Sequence, residues 1–140
     1  MLFRSVLLWR GGTDDSMWAY DFNTNTWMDN ETVERPSKGA FGGLVYDSES
    51  DRSILYGGGF LGSNTTDETW AYDHNINTWT KTEPSETPPK LTLHAMVYNP
   101  TLDLVVLFGG RVGSGSTYTA ETWTYDLNSD TWTNVTLGQE

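Results

Sequence analysis

Apolar and polar residues alternate along much of this chain, and the alternation restarts at regular intervals. In Trp18-Ala19-Tyr20-Asp21 a two-residue period puts the Trp and Tyr rings on one face of an extended strand and Ala and Asp on the other. The same order returns as Trp70-Ala71-Tyr72-Asp73 and as Trp123-Thr124-Tyr125-Asp126. A further Trp follows each copy, at Trp27, Trp79 and Trp132. The intervening residues, such as Phe22-Asn23-Thr24-Asn25-Thr26, are rich in Asn and Thr and predict a tight turn, so each copy reads as a hairpin. No long stretch of good helix formers shows a 3.6-residue apolar spacing.

An apolar run ending in glycines precedes each hairpin: Val6 to Gly12, Ile54 to Gly59, and Val105 to Gly110. Such a run reads as a buried strand, and its glycines mark unusual dihedrals or a close backbone approach where the chain leaves it. A third apolar element occurs twice, as Phe41-Gly42-Gly43-Leu44-Val45-Tyr46 and Leu93-His94-Ala95-Met96-Val97-Tyr98. Pro36 and Lys38 stand before the first copy, Pro89 and Lys90 before the second. The W-x-Y-D-x5-W unit therefore repeats three times, with periods of 52 and 53 residues. Several short strands per unit of about 50 residues are a propeller signature.

The double glycine, the Tyr-Asp pair and the spaced Trp resemble the kelch motif, and the resemblance covers nearly the whole chain. Two positions depart from it. A Lys stands where kelch units often have Arg before the first strand, and Gly42 replaces the His found at position 94. The resemblance implies an all-β fold of kelch-type β-propeller blades, about three of them, each a four-stranded antiparallel sheet with strands a to d running outward from the axis. Residues 1–140 read as one partial propeller, with blade 1 over 1–34, blade 2 over 35–85 and blade 3 over 86–140. Strand a is expected over 40–46 and 93–98, and blade 1 lacks it, which gives eleven strands. Kelch propellers usually close with about six blades. Three blades leave two side walls open, and unpaired walls invite association. Two explanations stand side by side: a homodimer that completes a six-bladed ring, or a chain that is part of a longer propeller.

Composition narrows the function. Seven Trp, seven Tyr and five Phe in 140 residues describe a chain that folds. The net charge of −11 and eight scattered Lys and Arg do not suit nucleic acid or an anionic membrane surface. No apolar run approaches the ~20 residues of a membrane span, and the segment from Met1 to Trp9 is too short for a secretory signal. The absence of cysteine excludes thiolate nucleophiles and thiolate metal sites, and leaves the compartment unassigned.

Antiparallel order places the a–b and c–d turns on one face of the blades and the longer b–c and d–a loops on the other. Long loops on a rigid scaffold are where binding concentrates. Six of the eight cations fall on or beside that face: Arg10, Arg35, Lys38, Lys81, Lys90 and Arg111. The candidate binding residues are Arg10, Arg35, Lys38, Lys90, His94 and Arg111, with His94 placed in an innermost strand facing the channel. His74, in a c–d turn, reads as exposed and without a role. No catalytic set, metal site or cofactor emerges from the residues. The acids before each strand c, among them Glu68 and Glu121, read as loop hydrogen-bonding groups. The reading is an interaction module for a protein, or a glycan, at the long-loop face. The alternatives are a carbohydrate-processing enzyme of the kelch type, for which copper chemistry with a Cys-linked Tyr is excluded, and a structural half-propeller that only oligomerises.

Overall fold

A computed structural model of the chain describes residues 5–10, 16–36, 40–59 and 64–138. Among these residues the regular structure is all strand, in three antiparallel sheets and one short ribbon. The first sheet holds β1 (Ser5–Arg10), β2 (Ser16–Asp21) and β3 (Thr26–Asp29), in that order. The second holds β4 (Gly43–Asp47), β5 (Arg52–Tyr56), β6 (Thr69–Asp73) and β7 (Thr78–Lys81). The third holds β9 (Ala95–Asn99), β10 (Leu104–Phe108), β12 (Thr122–Asp126) and β13 (Thr131–Asn134). The ribbon pairs β8 (Leu91–Thr92) with β11 (Arg111–Val112). Three blades are thus present, two four-stranded and the first three-stranded, as the sequence repeat implies.

Two details differ from the expected eleven strands. The innermost strands begin later than residues 40 and 93, because Phe41 and Leu93 take left-handed dihedrals with φ of 62° and 59°. A strand cannot pass through such residues. Their main chains meet instead, with the Leu93 N–H donating to the Phe41 carbonyl at 3.0 Å. The two strands of the ribbon, too short to leave a periodic signal, bring the count among the described residues to thirteen.

Every hairpin turn on the a–b and c–d face is built in one way. A Tyr near the end of the first strand sends its hydroxyl to an Asn or Asp five residues on: Tyr20 to Asn25, Tyr46 to Asp51, Tyr72 to Asn77, Tyr98 to Asp103 and Tyr125 to Asp130. All five acceptors are left-handed, with φ between 50° and 55°, a conformation that Asn and Asp tolerate best among residues with a side chain. The Asp or Asn after each Tyr caps the turn by accepting the N–H two residues later, as Asp73 does from Asn75 at 2.8 Å.

With the turns fixed, the registers are fixed. Tyr72 pairs with Trp79 across β6 and β7, and Tyr125 with Trp132 across β12 and β13. Both pairs point toward the preceding blade. Tyr72 and Trp79 pack with Met17 and Leu7 of blade 1. Tyr125 and Trp132 pack with Ile54, Tyr56 and Ala71 of blade 2. Trp79 and Trp132 are 1% and 2% exposed, and each such ring is worth about 1.5–3 kcal/mol of gross burial. The buried Trp132 N–H donates to the Thr69 hydroxyl at 2.9 Å. Hydrogen bonds seal the edges of the stack: Asn30 to the Tyr72 hydroxyl, Asn77 to the Glu31 carbonyl, and the Glu83 N–H to Asp130.

The glycines that end strand b work by close approach. A Cβ on Gly57, whose φ is 64°, would stand 2.6 Å from the Leu91 carbonyl oxygen of the next blade. Gly113 also has a positive φ, of 58°, yet nothing lies within 4 Å of its Cβ position. Gly57→Ala is expected to lower unfolding free energy by about 2–4 kcal/mol, combining left-handed strain with overpacking. Gly113→Ala is expected to lose about 1 kcal/mol from strain alone. Urea unfolding of both variants checks this, and equal losses would refute the close-approach account.

Candidate functional site

The long-loop face is assembled by the ribbon. β8 lies in the d–a connection between blades 2 and 3, and β11 in the b–c loop of blade 3, so their pairing joins both loops on one side. The Gly113 N–H donates to the Lys90 carbonyl at 2.8 Å, and the Gly58 N–H to the Leu91 carbonyl at 2.9 Å. Beneath them the Tyr56 hydroxyl, fully buried, reaches the carbonyls of Pro88 and Pro89 at 2.6 and 3.0 Å. Burial, and then the nearby charge of Asp67, push its pKa well above that of free tyrosine, so it stays a donor. The proline-rich connection is therefore anchored beneath the ribbon.

The expected binding residues divide into three groups. Arg35 and Lys90 are exposed, on the two d–a connections. Lys90 adjoins the ribbon and Arg35 lies on the other connection, so the fold places them on one face without joining them. Arg111 is half-buried and turned back on its own loop, donating to the carbonyls of Ser114 and Gly115. Its main chain pairs with Thr92 and bridges to Tyr118. This arginine shapes the b–c loop of blade 3. Lys38 and the side chain of Arg10 lie outside the described residues. Lys81, also on this side, is held by Glu68 at 3.1 Å.

His94 is placed differently from the expectation. It precedes β9 rather than lying in it, and its ring is turned into the protein. The ring packs edge-on against Tyr56, with centroids 5.7 Å apart, and its Nε2 lies 2.8 Å from where a Cβ on Gly43 would stand. Neither ring nitrogen receives a hydrogen bond of good geometry. Burial lowers its pKa to about 4, and the Tyr56 main chain beside it opposes this in part. In this position the imidazole fills the seam between blades 2 and 3. His74, expected to be exposed, is half-buried between Tyr46 and Tyr72, with Nε2 3.0 Å from the Ser53 hydroxyl. Its pKa is lowered, first by burial.

The acids before strand c do what their recurrence suggested. Glu68 accepts from the Trp70 indole and Glu121 from the Trp123 indole, each at 2.9 Å. In blade 1 Ser16 accepts from Trp18. What the sequence reading missed is the role of Tyr46 and Tyr98. Each is followed by Asp or Asn and, five residues on, by Asp, so the c–d turn pattern was present in the a–b turns as well.

A family model described as the KLHDC2/KLHL20/DRC7 Kelch-repeats domain matches residues 5–140. The chain belongs to the kelch-repeat family. A search of curated proteins returns no match. The kelch assignment agrees with the three blades, their four-strand order and the Trp–Tyr stacking. Kelch repeats form protein-interaction modules, which sets the class of function for this chain. No helix among the described residues is long and apolar enough to cross a membrane.

The buried histidine gives the kelch blades a pH dependence of definite sign. His94 stays neutral in the fold down to pH about 4, whereas in the unfolded chain it protonates near 6.5. Protonation thus favours the unfolded chain. Stability is full above pH 6.5 and falls as pH drops from 6.5 toward 4. The loss from His94 at pH 5 is about 2 kcal/mol. His74 acts in the same direction. Denaturant unfolding at pH 7.5 and 5.0 should show the decline, and His94→Gln should make it shallower. An unchanged pH profile in that variant would mean that His94 is solvated.

Proposed function

We propose that this kelch domain is a non-catalytic interaction module that holds a protein partner on its long-loop face. The observation that carries the reading is the ribbon of Leu91–Thr92 with Arg111–Val112. It welds a d–a connection to a b–c loop and presents them from a closely packed pair of blades. A pre-ordered platform spends little conformational entropy on binding. Arg35 and Lys90 reach solvent from this side, and Arg111 fixes the loop beside Lys90. Their spread suits a broad, mixed-charge protein surface better than a single small anion. The mixed charge of the face, within a chain of net charge −11, favours a partner with both acidic and basic contacts.

Two charge reversals test the reading. The Arg35→Glu, Lys90→Glu variant alters exposed side chains and leaves the core intact. It is expected to lose capture of its partner from a lysate of the source cells, with wild-type circular dichroism. Capture that disappears after protease treatment of the lysate marks a protein ligand, and capture that disappears after deglycosylation marks a glycan. Undiminished capture by the double variant would move the binding surface elsewhere.

A further inference from the structure

The ribbon is held to the blades below it by a few main-chain contacts, and one side chain stands among them. The Gly58 N–H donates to the Leu91 carbonyl, the Gly113 N–H to the Lys90 carbonyl and the Leu93 N–H to the Phe41 carbonyl, at 2.9, 2.8 and 3.0 Å. His94 follows directly. Its Cβ lies 2.8 Å from where a Cβ on Gly110 would stand, beside the start of β11. Its Cε1 lies 3.2 Å from the same position on Gly57, where β5 ends, and its Nε2 2.8 Å from that on Gly43 of β4. The ring also meets Tyr56 edge-on. One imidazole thus touches every element that holds the ribbon down.

The setting is dry and lacks a counter-charge. Both ring nitrogens are shut off from solvent without a partner of good geometry. On β5 the Tyr56 hydroxyl is committed to proline carbonyls, and burial keeps it un-ionised. Asp67 acts on that tyrosine and not on His94. The other titratable groups of β4, β5 and β9 sit at the far, turn end of their strands. There Tyr46 binds Asp51, Asp47 binds Ser50, Arg52 binds Asp73 and Tyr98 binds Asp103. Beside the ribbon the charged groups are cations: Lys90 is exposed, and Arg111 is turned onto Ser114 and Gly115. Only the Tyr56 main chain favours a protonated ring. A proton on His94 therefore makes a buried, unpaired charge, which is costly until the ring reaches water. The chain beside it is strained as well. Leu93 and Phe41 are left-handed, a conformation that bulky residues avoid, and opening of the ribbon frees both.

We propose that His94 is a proton-sensitive clasp of the ribbon: when its ring takes a proton, the segment from Pro88 to His94 lifts off β5 and parts from β11, while the hairpins of the turn face stay closed. The opening is local because the Trp132–Thr69 contact and the tyrosine-to-turn hydrogen bonds involve none of the atoms released. Its sign follows from burial. In the closed form the ring stays neutral down to pH about 4, whereas a solvated ring protonates near 6.5. The ribbon is therefore fully clasped above pH 6.5, and opening grows as pH falls from 6.5 toward 4. At pH 5 the open form gains about 30-fold over its level at neutral pH. Loss of a partner in acid is a consequence that rests on the binding reading above, whereas the opening itself does not.

Native-state hydrogen exchange of the full chain without any partner, at pH 7.5 and 5.0 and corrected for intrinsic rates, tests the clasp. The amides of Gly58, Leu93 and Gly113 are the reporters. Their opening is expected to be about 30-fold more populated at pH 5.0, with the weak urea dependence that marks a local event. The amides of Thr82 and Glu83, bound to Thr69 and Asp130, should not share it. His94→Gln should flatten the response of the reporters, and His74→Gln should leave it in place. Side-chain NMR of the wild-type ring needs no variant: His94 should titrate well below 6.5. Reporter amides that open equally at both pH values overturn the proposal. So does a response that appears only with the full urea dependence of global unfolding, or one that survives His94→Gln. A His94 ring that titrates near 6.5 while the ribbon stays protected overturns it too.

Discussion

The hydrogen bond from a strand-end tyrosine to a left-handed Asn or Asp five residues later governs most of this structure. A hairpin register that slips by one residue sends every side chain to the opposite face. In blades stacked side by side that error would turn the Trp–Tyr pair away from its socket and expose about two rings per blade. The latch removes the ambiguity, since a hydroxyl at Tyr72 and an acceptor at Asn77 meet in one loop length. The acceptors then serve twice. Asn77 and Asp130 also bind the preceding blade, so turn closure and blade stacking share the same residues. Asn75 and Asn128 tie the outer turn of each complete blade to the inner one, through Asp51 and Asp103.

The stack that results is directional. Each blade offers rings on one side and small or hydroxyl-bearing residues on the other. Ala71 packs with Tyr125 and Trp132, whose indole also donates to the Thr69 hydroxyl, and Met17 packs with Tyr72 and Trp79. The same asymmetry sets the packing of blade 2 on blade 1 and of blade 3 on blade 2.

The long-loop face follows a separate logic. Its residues are not part of the ring stack, yet it is anchored to that stack from below by the Tyr56 hydroxyl and the His94 ring. Arg111 directs its guanidinium to loop carbonyls, which stiffens its own loop and leaves Arg35, Lys90 and the Glu68-paired Lys81 as the exposed cations of the described part of the face. In the proposed reading, the ordered part of this face would lose little conformational entropy on binding.

The sequence by itself determined the repeat, the strands and the kelch family, because alternation, turn chemistry and glycine position are local properties that recur at a fixed period. It also carried the tyrosine latch, in five copies, although two of them lay in turns where the Trp signal was absent. The candidate site was less legible. Residue type marked Arg35, Lys90, Arg111 and His94 equally as polar groups near long loops, and nothing local distinguishes an exposed lysine from an arginine folded onto its own loop. The start of the innermost strands was hidden as well, since Phe41 and Leu93 are ordinary strand residues whose left-handed dihedrals arise where two blades meet. Tertiary structure alone decided that His94 turns inward, that two dipeptides join as a ribbon, and that Trp79 and Trp132 are buried against the preceding blade. Each depends on what the neighbouring blade places against it, at a sequence distance over which a local pattern holds no information.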